Sequence, residues 1–264
     1  MTTNPIDFIG AGPGSPDLLT LRGRDLIAQA DVVLYAGSLV PEGVLIHAAP
    51  GADIRDSAPM ALDEIMDIMV EAFRAGKRVA RVHSGDPSLY GAVAEQARRL
   101  RALDIPYAIT PGVSAYTAAA ATLGVELTLP TVSQSIILTR VAGQATDMPE
   151  HETLENFAET RSTLALHLSI RYLRDIQRRL IPYYGEDCPC IVAYRVGWPD
   201  EQFIHGTLTT IRERVREAKI TRTAIIFVGP VLGEAEFPDS ALYDADYEHI
   251  LRHRKMKPGA SDAE

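Results

Sequence analysis

Cysteine is scarce here: 264 residues contain two, Cys188 and Cys190, both in the segment DCPC. On a strand such i, i+2 residues share a face, but two thiols without a histidine beside them make a thin metal site. They read instead as small residues opening a strand, and no metal is expected. Long apolar runs are also missing. No stretch reaches membrane-spanning length, and the N-terminus carries no basic-then-apolar leader, so a soluble cytoplasmic protein without a membrane partner is expected. Positive charge is in deficit: 26 Lys and Arg against 35 Asp and Glu give a net charge of −9. That balance argues against wide contact with nucleic acid, although a few arginines in one cleft can still hold an anionic small molecule. Internal repeats, low-complexity segments and basic aromatic grooves are absent as well.

What the chain does have is an ordinary globular composition, 46% hydrophobic and 23% charged, over a length suited to one large or two medium domains. Its most distinctive feature is glycine grouped into turns. FIGAGPGSPDLLTLRG, residues 8–23, sets Gly10, Gly12 and Gly14 behind a short apolar run. The dinucleotide pattern G-x-G-x-x-G requires glycine at position 15, where Ser15 stands. Pro13 and Pro16 fix two φ angles and remove two N–H donors that a phosphate cradle would use. No Gly-Lys-Ser/Thr follows, and Ala36-Gly37 occupies the place of a ribose-binding carboxylate after the next apolar run. The turn lets a ligand approach the backbone, yet it is poorly equipped for phosphate.

Apolar runs alternate with helical periodicity, the mark of an α/β fold. Strands are expected at 6–9, 31–36, 78–83 and 105–110, then at 133–140, 162–168, 190–195, 202–208 and 223–229. Leu62, Ile65, Met66, Met69, Val70 and Phe73 form one apolar helical stripe ended by Gly76, and 92–103 forms a second helix. PGVSAYTAAAATLG leads into an alanine-rich helix whose small side chains allow close approach of a backbone or a flat ligand. The expected organisation is an N-terminal α/β domain over 1–125, a C-terminal α/β domain over 126–232, and a flexible tail over 233–264.

Two further glycine-rich turns accompany the first. HSGDPSLYG, residues 83–91, ends a strand, and ligands of α/β sheets collect beyond such ends. Asp86 there suits either a ligand's amine or hydroxyl or a helix N-cap; His83 reads equally as a strand-end or a catalytic histidine. GVSAY, residues 112–116, misses the hydrolase elbow G-x-S-x-G because Tyr116 takes the last position, so Ser114 and Ala115 read as pocket lining. Asp200 and Glu201 in WPDEQ are neighbours facing opposite ways, a poor acid/base pair, with Trp198 expected as a lid over a site. No catalytic side chain is singled out.

In order and spacing, GAGPGSPDLLTLRG, YAGSLVPE, RVHSGDPSLYG, TPGVSAYTAAAATLGVELTLP, SQSIILTR and YRVGWPDE resemble the tetrapyrrole methylases over residues 5–232. Within them the chain is most similar to the precorrin-4 C11-methyltransferases of cobalamin biosynthesis. YAGSLVPE, ETLENFA and HLS are closer to the oxygen-dependent, metal-free branch than to the cobalt-inserted one. The resemblance implies two α/β domains with S-adenosylmethionine in the cleft between them, a tetrapyrrole substrate and a homodimer. It implies cofactor contacts from Pro13, from Gly85, Asp86 and Pro87 with Tyr90, and from Ser114 and Ala115. In the second domain it implies Leu168, Ala193, Tyr194 and Ala224. Ser15 replaces the aspartate frequent in the family after its first Pro-Gly. The implied chemistry moves a sulfonium methyl to a ring carbon by in-line displacement, so no activated serine or cysteine is needed. Arg81, Arg140 and Arg195, at or near strand ends, are candidates for the substrate's carboxylates, each equally readable as a surface arginine. The alternatives are a cobalt-precorrin-4 C11-methyltransferase of the anaerobic route and a methylase of the same fold acting on RNA or protein; the acidic balance weighs against RNA, and the intact glycine turns weigh against a non-catalytic tetrapyrrole carrier.

Overall fold

The computed structural model describes residues 4–143, 147–233, 236–240 and 247. Most of the expected tail, 233–264, therefore lies outside the described residues. The N-terminal half builds a parallel sheet from β1 (Ile6–Gly10), β2 (Val32–Tyr35), β3 (Asp53–Asp56), β4 (Val79–His83) and β5 (Tyr107–Thr110), in the order β3-β2-β4-β1-β5. β1 and β4 are buried almost throughout, as strands covered on both faces must be. Helix α1 (Leu21–Gln29) covers one face, where Ile27 packs with Ile9, Val33 and Val82. Its first turn is capped by the Thr20 hydroxyl, which accepts from the Gly23 N–H at 3.1 Å. Helices α2 (Leu62–Arg74) and α3 (Val93–Ala102) cover the opposite face, burying Met69 and Leu100 against Phe8 and Leu34. The apolar stripe read from the sequence is the buried side of α2, and Gly76, at φ +76°, follows its end.

This winding positions the site. β1 sends the chain to the α1 face, whereas its neighbour β4 sends it to the α3 face. The crevice beyond the C-terminal ends of β1 and β4 is therefore a topological switch point, where open α/β sheets receive ligands.

Helix α4 (Ala115–Leu123) turns away from this sheet. Its Ala118–Ala120 run packs against Ala165, Ala193 and Phe227 of the second sheet, and small side chains permit that close seating. The second sheet contains β6 (Ile136–Thr139), β7 (Thr163–Leu166), β8 (Pro189–Tyr194), β9 (Gln202–Thr207) and β10 (Ala224–Val228), ordered β6-β7-β10-β8-β9. Only β6 and β7 run parallel; the other pairs are antiparallel. α5 (Leu154–Glu159), α6 (Leu173–Tyr184) and α7 (Ile211–Glu217) close the far face with Leu154, Ile176, Leu180 and Ile211. Cys188 and Cys190 are free thiols in that core, and burial raises both, Cys188 to about 11. Among the described residues no group of His, Cys, Asp or Glu could hold a metal, and no helix is long and apolar enough to cross a membrane.

Candidate active site

Three glycine turns meet at the switch point. Gly12 and Gly85 exchange backbone hydrogen bonds, Gly85 N to Gly12 O at 2.7 Å and Gly12 N to Gly85 O at 3.3 Å. A Cβ on Gly10 would stand 2.5 Å from the Gly112 nitrogen, and one on Gly112 would collide with the Gly85 carbonyl. The turns thus touch backbone to backbone, an approach that side chains would block. Gly85 itself differs. It adopts φ +60°, and a Cβ there would meet nothing nearer than the Ala115 nitrogen at 3.9 Å.

The space it faces is a cleft of roughly 890 Å³, counting its open mouth, between the first sheet's turns and one face of the second sheet. Of the residues implied by resemblance, Pro13, Gly85, Asp86, Tyr90, Ser114 and Ala115 line it from the first half. Leu168, Ala193 and Ala224 line it from the second. Pro87 and Tyr194 do not. Pro87 is buried behind the turn with its carbonyl against Gly91, and Tyr194, one residue beyond Ala193 on β8, turns its ring to the opposite core.

The three arginines separate. Arg195 lines the cleft, its guanidinium 4.1 Å above the Trp198 ring and its Nε 2.8 Å from Asp200 Oδ1. That ion pair is made by proximity, because the Nε–H is left without a directed acceptor. Arg140 lines a neighbouring cavity with Asp147 and Glu152, donating to the carbonyls of Val141 and Asp147 at 3.3 and 2.9 Å. Arg81 is buried in the first core and does not line the cleft, since it shares with Val79 the face of β4 that α2 and α3 cover and bonds to Gln96 of α3.

Of the two readings of Asp86, the helix cap is the one the structure corrects, while the side chain does line the cleft. It caps no helix, because α3 begins after Ala92. Oδ1 accepts from the Ser88 N–H at 2.8 Å and from the Ser88 hydroxyl, while Oδ2 accepts from Gly112 N at 3.1 Å. These bonds hold its carboxyl below the usual range despite burial, and they pin the second turn to the third.

Leu39, His167, Val196 and Thr223 also line the cleft without having been singled out. His167 packs against Tyr90, with ring centroids 5.2 Å apart, and its Nε2 is buried without a partner. Burial lowers it to about 4, so it is neutral near pH 7. Tyr90, Leu168, Arg195 and Thr223 all adopt positive φ, between 46° and 55°. Such conformations are costly for residues with a Cβ, most of all for β-branched Thr223, and they gather at functional clefts. Trp198, read from the sequence as a lid, lines the cleft, and its Nε1 donates to the Pro13 carbonyl at 3.1 Å.

A doubly wound sheet opening its glycine turns onto a crevice roofed by a second sheet defines an α/β protein with a cleft between its two layers. The chain belongs to the tetrapyrrole (corrin/porphyrin) methylases, whose family model matches residues 6–212. It is 52% identical over 249 residues to a precorrin-4 C(11)-methyltransferase of Sinorhizobium sp, covering 94% of this chain and 98% of that one. Among solved structures it resembles the cobalt precorrin-4 methyltransferase CbiF at TM-score 0.84 and 40% identity, covering 87% and 96% of the two chains. It also resembles a uroporphyrin-III C-methyl transferase from Thermus thermophilus complexed with S-adenosyl homocysteine, at TM-score 0.72 and 25% identity over 87% and 99%.

Proposed function

We propose that this protein transfers the methyl group of S-adenosylmethionine to C-11 of precorrin-4, giving precorrin-5 in cobalamin biosynthesis. The observation that carries the proposal is near end-to-end similarity to a protein of that name, 52% identical over 249 residues. YAGSLVPE, ETLENFA and HLS favour the metal-free substrate over its cobalt-containing counterpart.

The cleft suits the donor. Gly85 leaves open the space a side chain would fill, and the buried Nε2 of His167 offers an unused polar atom. Among the described lining residues Arg195 is the one cationic side chain, already paired with Asp200, so nothing there resembles a phosphate cradle. S-adenosylmethionine, when bound, supplies an electrophilic methyl group on a sulfonium. Pro13, the 85–86 turn, Tyr90 and the 114–115 segment would hold it from below, with Leu168, Ala193 and Ala224 above. These residues orient and exclude water, and none is a thiolate or amine that would compete for the methyl group. A neutral His167 avoids repelling the positive charge that passes into the macrocycle. Arg195, which lines the cleft stacked on Trp198, would exchange its Asp200 partner for a substrate carboxylate. The active unit is a cytoplasmic homodimer with its boundary between domains near residue 125.

Incubating the protein with S-adenosylmethionine and a panel of early corrinoid intermediates, metal-free and cobalt-loaded, tests the proposal by mass. One added methyl on precorrin-4 alone is expected. Methylation of none of them, or of a different intermediate, would overturn it.

A further inference from the structure

Arg81 carries a positive charge into the first core. It is 5% exposed, and among the described residues no carboxylate meets its guanidinium. Burial lowers it only to about 10, so it remains a cation at neutral pH. Its partners are neutral: Nη1 donates to Ser57 Oγ at 2.8 Å and to the Leu34 carbonyl at 3.4 Å, and Nε donates to Gln96 Oε1 at 3.4 Å. Ser57 and Gln96 are themselves buried.

Both side chains pass the hydrogen bond outward. The Ser57 hydroxyl donates to the Tyr35 carbonyl at 2.9 Å, and the Gln96 amide donates to the Ala92 carbonyl at 2.8 Å. Tyr35 is the last residue of β2, and the segment after it brings Leu39 to the cleft. Ala92, at φ +52°, closes the turn that carries Gly85, Asp86 and Tyr90. The two arms therefore leave one guanidinium and end where two separate cleft loops join their strand and helix.

We infer that Arg81 is a positioning residue that locks the cleft loops 36–41 and 84–91 to each other, through Ser57 on one side and Gln96 on the other. A buried cation met only by neutral groups is a poor device for stability, and an apolar residue of similar volume often serves as well or better. What an apolar residue cannot do is donate in two directions from one rigid plane. Gly37 N, bonded to Asp56 Oδ1 at 2.8 Å, anchors the first loop beside Ser57, so the lock acts on a loop already tethered at one end. The lock rests on these bonds; its consequence for turnover rests on the methyltransferase reading above.

Amide hydrogen exchange on the full chain tests it. Arg81→Met should speed exchange at least tenfold in 36–41 and 84–91 together, leaving β7 and β10 unchanged. Ser57→Ala should loosen only 36–41, Gln96→Met only 84–91, and Ser57→Thr, which keeps the hydroxyl, should retain wild-type exchange. Affinity for S-adenosylhomocysteine, read by calorimetry, should fall at least fivefold in Arg81→Met. Under the methyltransferase reading, kcat/KM for precorrin-4 should fall more than tenfold, with more of the loss in kcat than in KM. Loosening of one loop alone by Arg81→Met, a uniform rise across both sheets, or no change would overturn the lock. If Arg81→Met does not fold, the single-arm variants decide, and absence of loop-confined effects overturns it. A chain showing this exchange pattern while methylating no corrinoid would sink the functional reading and leave the lock standing.

Discussion

The Trp198 indole N–H donates to the Pro13 carbonyl at 3.1 Å, joining residues 185 positions apart across the mouth of the cleft. The ring also fills the space above Gly14, where a Cβ would lie 2.5 Å from its Cδ1. Arg195 stacks on its face, so one side chain ties the first glycine turn to the strand end of the second sheet.

Trp198→Phe keeps the ring and removes the donor. A single neutral hydrogen bond is worth about 1 kcal/mol, and this one is made before any donor binds, so Tm should fall by about 2–4 °C and donor affinity by no more than roughly fivefold. Trp198→Ala also removes the platform beneath Arg195 and should cost more. Calorimetric titration of both variants with S-adenosylmethionine checks the order.

Glycines 85 and 112 should respond to alanine to very different degrees. At Gly85 the methyl group has room but φ +60° disfavours it, by about 1–2 kcal/mol. Gly85→Ala should therefore fold with a Tm lower by a few degrees and lose at least tenfold in donor affinity, because its methyl enters the cleft. Gly112→Ala meets the Gly85 carbonyl and the Gly10 backbone and should fail to fold cooperatively. Thermal melts followed by near-ultraviolet circular dichroism separate the two.

Asp86 acts by pinning the second turn to Gly112. Asp86→Ala should weaken S-adenosylmethionine binding measured by calorimetry while thermal unfolding stays cooperative. Asp86→Asn retains one acceptor oxygen and should be intermediate. Unchanged affinity in both would remove Asp86 from the site.

Two buried histidines set an acid limit on stability. Burial, with the nearby Arg81 charge adding to it, lowers His83 to about 3, and burial lowers His167 to about 4. Both lie below the unfolded value near 6.5, so on acidification the unfolded chain takes up protons first. Their contribution is intact above about pH 6.5 and is lost as pH falls toward 4, at roughly 1.4 kcal/mol per pH unit for each histidine. His83→Phe should lose less stability than wild type between pH 6.5 and 4 in urea unfolding. Parallel losses would remove His83 as a cause.

Most strands were legible because they are apolar runs bounded by turn residues, and the helix at 62–74 because its stripe repeats at helical spacing. β3 was not. DIRD is a charged, half-exposed edge strand that β2 orders through its hydrogen bonds, so side-chain pattern says little about it. Strand direction in the second sheet was equally hidden, since alternation of apolar residues is the same in either sense. The three glycine turns were readable at the site because glycine marks where backbones must touch. Thr223 and Val196 were not, because their place depends on main-chain path and not on side-chain type. Arg81 misled for a simpler reason: an arginine inside a strand does not announce which way it points.

The left-handed residues around the cleft carry a practical consequence. Where a pocket is shaped by peptide groups, with alanines and glycines among its walls, shortening side chains one by one removes very little of it. An alanine scan would score Ala115, Ala193 and Ala224 as blanks by construction. Bulk added at those positions, not atoms removed, would draw the outline of what the pocket holds.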